Sequence, residues 1–282
     1  MKLLYSDYLM YSTLRLECFN KDNLVCLGTG FIFNFYFSPF KYPIPVLITN
    51  KHIIKDSFIG DLKFTLSDNS GNPLDNEFVG IKCTNFADRF IMHPDKSIDL
   101  CGMFLGEIIN SLNMENKKIF YIPLEKSIIA TKSIMEGLLS VEDVIMVGYP
   151  NGIWDEVNNK PIFRKGITAT SPKFDYNGKK EFLIDLACFP GSSGSPVFIY
   201  NESGYTDKIN NSYNMSSRII FAGILRGGHE YTIQIDDEVN GTVETSIPNN
   251  LGVVIKAETI FELEAEMSKK FYFNIRRKID VC

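Results

Sequence analysis

The segment Phe189-Pro190-Gly191-Ser192-Ser193-Gly194-Ser195-Pro196-Val197-Phe198 sets a run of small residues between an apolar approach and a new strand. A nucleophilic serine needs its Oγ exposed on a tight turn, with backbone N–H groups aimed where an oxyanion will form. Gly191, two residues before Ser193, can adopt the backbone angles that turn such donors inward. Gly194 leaves room beside the hydroxyl, and Pro196-Val197-Phe198 resumes a strand. Ser193 is therefore the candidate nucleophile. The same composition also suits an ordinary hairpin turn, so a catalytic reading needs a base and an orienting group elsewhere in the chain.

Working back toward the N-terminus, Val46-Leu47-Ile48-Thr49-Asn50-Lys51-His52-Ile53-Ile54 is an apolar strand ending in a polar step, with a histidine opening a short helical turn. A general base belongs on such rigid structure near the serine. The chain has three histidines. His93, in Met92-His93-Pro94-Asp95, reads as a loop residue, while His229 after Gly227-Gly228 stays a candidate. In Ser97-Ile98-Asp99-Leu100-Cys101-Gly102-Met103 one carboxylate opens an otherwise apolar strand. Buried there, Asp99 would need a hydrogen-bonding partner, and it could hold an imidazole in one tautomer and stabilise the imidazolium. An ordinary strand-edge aspartate fits the same pattern, and Asp95 in the preceding loop is the nearest competitor.

Short segments rich in Val, Ile, Phe, Tyr and Thr recur between Gly, Asn, Asp and Pro, at about 9–17, 24–35, 45–49, 60–67, 78–84 and 98–105. A second set lies at about 142–148, 161–170, 180–187, 196–200, 218–225, 230–235 and 251–256. Strands at this spacing predict an all-β sandwich or barrel rather than βαβ units. The two sets define lobes at about 9–110 and 140–256, joined by a stretch of weak strand character within 106–140. Ile260, Phe261, Leu263 and Met267 approach helical spacing, which predicts a helix over about 257–268 packed on the second lobe. Residues 201–217, dense in Asn, Ser and Tyr, read as an exposed insertion or long hairpin loop.

A formal net charge of -5 argues against nucleic acid or an anionic membrane as the main partner. No run reaches the ~18–20 apolar residues of a membrane span. Asp7 interrupts the opening apolar stretch before it could serve as a secretory signal. The six cysteines include no CxxC pair, and the histidines show no HxxxH, so no metal or other cofactor is expected. Without a signal, reduced thiols and a cytoplasmic location are the reading. The abundance of Asn, Lys, Ile and Phe resembles an A/T-rich bacterial coding bias.

His, Asp and Ser fall in the chain order of chymotrypsin, not of subtilisin or the α/β-hydrolases. With this order, the chain resembles the trypsin-like peptidase superfamily, in particular its bacterial members without a signal peptide. The resemblance spans about 9–268. It includes Gly28-Thr29-Gly30-Phe31-Ile32, Thr49-Asn50-Lys51-His52, Ile98-Asp99-Leu100, Gly148-Tyr149-Pro150, Gly191-Ser192-Ser193-Gly194-Ser195-Pro196, Ala222-Gly223-Ile224 and Leu251-Gly252-Val253-Val254.

This resemblance implies one peptidase domain with the chymotrypsin-like double β-barrel and a C-terminal helix. It implies a serine endopeptidase acting through an acyl-enzyme, with His52 as base and then acid, Asp99 orienting it and Ser193 attacking. Gly191 and Ser193 N–H groups would form the oxyanion hole. Ala187, Cys188, Arg226, Gly227 and His229 would border the substrate pocket. The expected partner is a protein or peptide substrate, with a dedicated protein substrate or a regulatory protein also compatible.

Two departures from the family pattern matter. Ser192 stands where secreted members carry the aspartate that pairs with a new N-terminal amine, so activation by that cleavage is not expected. Ala187 stands at the pocket floor, where an aspartate would favour basic P1 residues. The other readings are a protease-like binding module without activity and an α/β-hydrolase esterase, the latter disfavoured because a strand follows the serine turn and position 195 is not glycine.

Overall fold

Period-two alternation sorts the apolar side chains into three cores. In the computed structural model, which describes residues 5–21, 23–38, 42–237 and 241–279, β1 (Thr13–Asn20), β2 (Asn23–Phe35) and β3 (Ile44–Thr49) follow a short helix α1 (Tyr5–Leu9). After α2 (Lys51–Ile54) come β4 (Ile59–Ser67), β5 (Pro73–Thr84), β6 (Ile91–Met92) and β7 (Cys101–Phe104). These form one seven-stranded sheet in the order β5-β4-β1-β2-β3-β7-β6. On β2 and β3, Ile32 and Leu47 point into the first lobe beside Leu16, Leu62 and Phe64. Their neighbours Phe31, Phe33, Val46 and Ile48 point to the opposite face, because successive strand residues alternate.

The second lobe follows α3 (Gly106–Met114) and α4 (Lys132–Gly137), which occupy the stretch of weak strand character. Its strands are β8 (Asp143–Gly148), β9 (Ile162–Thr168), β10 (Glu181–Asp185), β11 (Pro196–Asn201), β14 (Arg218–Asp237) and β15 (Gly241–Lys256). They close into a six-stranded barrel, β10-β15-β14-β11-β8-β9. Residues 201–217 carry a separate small hairpin, β12 (Tyr205–Asp207) with β13 (Ser212–Asn214). Val144, Met146, Val197 and Ile199 fill the barrel. Ile145, Val147 and Phe198 face outward and join Phe31, Phe33 and Phe221 in a core shared by both lobes. Ring centroids of Phe221 stand 5.4 Å from both Phe31 and Phe198. Each fully buried phenylalanine contributes about 1.5–3 kcal/mol, so this shared core fixes how the lobes face one another.

The architecture is all-β with a C-terminal helix, as expected; the second lobe closes as a barrel, and the first is the seven-stranded sheet. Three details differ from the sequence reading, the first being that the C-terminal helix, expected on the second lobe, packs against β6 and β7 of the first. The strands expected at 218–225 and 230–235 are one strand, β14, paired with β15 as far as Asp237↔Gly241. Bulges at Leu225/Gly227 and Gly228/Glu230 absorb the break that the paired glycines suggested. The helix expected over 257–268 is a 3₁₀ turn, Ala257–Thr259, followed by α5 (Ile260–Ile279). Phe271 extends its buried stripe, packing against Phe37 and Phe104 at 5.3 and 5.6 Å between ring centroids. Five cysteines (Cys18, Cys26, Cys83, Cys101 and Cys188) are free thiols; Cys282 lies outside the described residues. No helix among the described residues is long and apolar enough to cross a membrane.

Candidate active site

The shared core brings the end of β3, the hairpin between β6 and β7, and the turn between β10 and β11 to the junction of the lobes. His52 sits in α2, directly after β3. Its ring Nδ1 lies 2.6 Å from Asp99 Oδ2, and its backbone N–H donates to Asp99 Oδ1 at 3.1 Å. The buried Asn50 adds a bond from Nδ2 to the Asp99 carbonyl at 2.8 Å. A carboxylate only accepts, so Nδ1 carries the proton of this contact and Nε2 is left unprotonated in the neutral ring. The His52 side chain is 45% exposed and that of Asp99 20%, so the imidazole is reachable while its orienting carboxylate is sheltered.

Ser193 stands on a turn with two left-handed glycines, Gly191 (φ +85°) and Gly194 (φ +84°). A Cβ at Gly194 would lie 1.9 Å from the Thr29 carbonyl oxygen, which only glycine avoids. The N–H groups of Ser192, Gly194 and Ser195 donate to the carbonyls of Phe189, Leu225 and Ser192. Those of Gly191 and Ser193 have no acceptor among the described residues. The carbonyls preceding them are held on the far side, Pro190 O by Asn151 N–H at 2.6 Å and Ser192 O by Ser195 N–H at 3.0 Å. In a planar trans peptide N–H points opposite to C=O, so both free donors face away from these anchors. Among the described residues no hydrogen bond joins Ser193 Oγ to His52.

Thr29, in β2 of the other lobe, stitches this turn in place. Its N–H donates to Ser193 O at 2.9 Å and its hydroxyl to Gly191 O at 2.9 Å. The same hydroxyl accepts from Tyr149 N–H at 3.1 Å, and Thr49 Oγ1 donates to Thr29 O at 2.8 Å. Thr29 and Asn50 lie in Gly28-Thr29-Gly30 and Thr49-Asn50-Lys51-His52, where the local sequence assigns them no role. Nothing local in a Gly-Thr-Gly step announces contacts 162 residues away.

The five pocket candidates separate. A Cβ on Gly227 would come within 4.0 Å of Ser193 Oγ, placing that residue beside the candidate nucleophile. Gly228 lies against the Cys188 backbone, and Cys188 is buried, its thiol pushed up to about 12 by desolvation. Ala187 is half-buried. Arg226 forms an ion pair with Glu181, Nε to Oε1 3.0 Å. His229 occupies the second bulge of β14, with its Nε2 buried and without a hydrogen-bond partner among the described residues. Ser192 is fully buried, and its hydroxyl has no hydrogen-bond partner among the described residues. Open grooves flank the centre, one lined by His52, Lys55, Met92 and Asp99, the other by Leu24, Val25, Asn151, Pro190 and Gly191.

No protein-family description and no curated protein matches the chain. Among solved structures it is similar to Rv3671c from Mycobacterium tuberculosis H37Rv, a serine-to-alanine mutant in an inactive form. That likeness has 14% identity over 90% of this chain and 85% of that one, with a TM-score of 0.42. A second inactive form of the Rv3671c protease has 15% identity over 92% and 89%, with a TM-score of 0.41. The serine endoprotease from Yersinia pestis has 12% identity over 95% and 68%, with a TM-score of 0.47.

Proposed function

We propose that the chain is a serine endopeptidase working through His52, Asp99 and Ser193. The observation that carries this reading is the 2.6 Å His52 Nδ1–Asp99 Oδ2 contact at the lobe junction that also holds the Ser193 turn. With Nδ1–H held by the carboxylate, Nε2 is the nitrogen that takes the Ser193 proton as Oγ attacks the scissile carbonyl. The tetrahedral oxygen gains negative charge and is met by the free N–H groups of Gly191 and Ser193. Collapse breaks the C–N bond, and His52 returns its proton to the leaving amine. Water, deprotonated by the same imidazole, then attacks the acyl carbon, the C–Oγ bond breaks, and His52 returns the proton to Oγ. The missing Ser193–His52 bond is one that catalytic sites without substrate often leave long.

The test is covalent labelling. A fluorophosphonate is expected to modify the wild-type chain once, with mass spectrometry placing the adduct on Ser193. A folded wild-type chain that never labels would instead favour the protease-like binding module.

The pocket border supports a neutral specificity. Ala187 supplies no charge, the Cys188 thiol stays protonated, and Arg226 is occupied by Glu181. In a peptide library varied at P1, small and apolar residues are expected to exceed Lys and Arg in kcat/KM. A strong preference for Lys or Arg would overturn this assignment. Ser192, uncharged and fully buried, cannot form an ion pair with a new N-terminal amine, which supports activity without that form of cleavage.

A further inference from the structure

We propose that His93 is a positioning residue, whose imidazole ties the hairpin carrying Asp99 to the entry of the C-terminal helix and so holds Asp99 against His52. The inference rests on the peptidase reading above and assigns a device within it.

Residues 93–100 form the hairpin between β6 and β7. His93 N–H closes its base on Leu100 O at 2.9 Å, one residue beyond Asp99. The His93 side chain is fully buried. Its Nε2 lies 3.1 Å from Thr259 O, and its Nδ1 3.1 Å from Asp95 N. A carbonyl can only accept and a backbone N–H can only donate. The ring is therefore the neutral Nε2–H tautomer, giving one bond to Thr259 and receiving one from Asp95. Burial holds its pKa below the ordinary histidine value, with the Thr259 carbonyl and the Glu262 carboxylate opposing that shift.

The surrounding charges brace the same joint. Glu262 of α5 reaches within 3.6 Å of His93 Nε2 and is itself paired with Lys180. Lys51, next to His52, donates to His93 O at 3.3 Å and to Asp95 O at 3.0 Å. Asp95 in turn accepts from Ser97 N–H and Oγ at 2.8 and 2.7 Å. Ile98 and Leu100, on either side of Asp99, pack in the core that contains Ala257, Ile260 and Leu263. Apolar contact alone lets a hairpin slide. The directional His93–Thr259 bond sets its position along the helix entry, and a misplacement of order 1 Å in a catalytic group can lower turnover about 100-fold.

Two substitutions separate the two ring bonds. His93→Asn places an amide oxygen where Nδ1 stood and retains an acceptor for Asp95 N–H, but it cannot reach Thr259. His93→Gln places an amide N–H where Nε2–H stood and retains the tie to Thr259. On the best peptide from the P1 library, His93→Asn is expected to lower kcat about 10- to 100-fold at little-changed KM. His93→Gln is expected to keep turnover close to wild type. The low-field proton resonance of the His52–Asp99 hydrogen bond should persist in the glutamine variant and weaken or shift in the asparagine variant, which a loss of stability alone would not produce. Wild-type turnover and an unmoved resonance in His93→Asn would overturn the inference while leaving the peptidase reading intact. So would equal losses in both variants that follow their Tm. A wild-type chain that neither labels at Ser193 nor cleaves any peptide would remove the peptidase reading, and this inference with it.

Discussion

Ser193→Ala is expected to lower peptide turnover about a million-fold, the loss triad enzymes show when the nucleophile is removed, and Asp99→Asn about 10,000-fold. The two losses have different physical origins. Without Oγ there is no acyl-enzyme, and only the oxyanion donors and binding remain. With an amide at position 99 the fold has little reason to change. Asn50 Nδ2 still finds the backbone carbonyl, and His52 N–H still finds an oxygen, as in the parent geometry. The contact that changes is the one at 2.6 Å between His52 Nδ1 and Asp99 Oδ2. An NH₂ group there favours the tautomer with Nδ1 bare and Nε2 protonated, and a protonated Nε2 cannot accept from serine. The loss should therefore fall on kcat, with Tm close to wild type. Because the groups act as one unit, Asp99→Asn added to Ser193→Ala should cost almost nothing further. A single Asp99→Asn variant that cleaves at the wild-type rate would exclude Asp99 from the machinery.

The residue types of this unit were readable because each punctuates an apolar strand: a histidine after Val46-Leu47-Ile48, a carboxylate before Leu100-Cys101, small residues before Val197-Phe198. The division into two strand-rich lobes was readable for the same reason, since period-two alternation is local. Contacts set by tertiary placement were not. His93 beside a proline reads as a loop residue, and it does lie outside any strand; its burial comes from a helix entry 166 residues later in the chain. Thr29 is hidden in the same way, a strand residue whose role exists only once the other lobe is placed. The continuity of β14 was masked by Gly227 and Gly228, where two bulges let the ladder with β15 continue. The length of α5 was masked by Lys269 and Lys270, which are exposed while Phe271, one turn beyond Met267, carries the buried stripe onward.

Gly191→Ala is expected to lower kcat about 100- to 1,000-fold, the scale of removing one oxyanion donor. Two effects should appear, and they can be told apart. The first is backbone: at φ +85° an alanine pays roughly 1–2 kcal/mol for the left-handed conformation. The second is steric and directional. A Cβ at position 191 would lie 2.5 Å from Tyr149 O, 3.1 Å from Gly152 N and 3.2 Å from Asn151 N. All three are backbone atoms, so no rotamer change relieves the contact. Relief comes only by parting the turn from residues 149–152, and Asn151 N–H is the group that holds Pro190 O at 2.6 Å. Once that bond yields, the Pro190–Gly191 peptide is free to rotate, and its N–H leaves the position that would face the oxyanion in the proposed mechanism. Gly71→Ala is the control for the backbone effect alone, since Gly71 has φ +81° and a Cβ there would meet nothing within 4 Å. It should lower Tm by a comparable backbone increment with kcat unchanged. If Gly191→Ala loses stability as Gly71→Ala does and still turns over at the wild-type rate, the Gly191 N–H has no part in the oxyanion site. If kcat falls while KM holds and Ser193 still labels slowly with the fluorophosphonate, the donor is needed chiefly in the transition state.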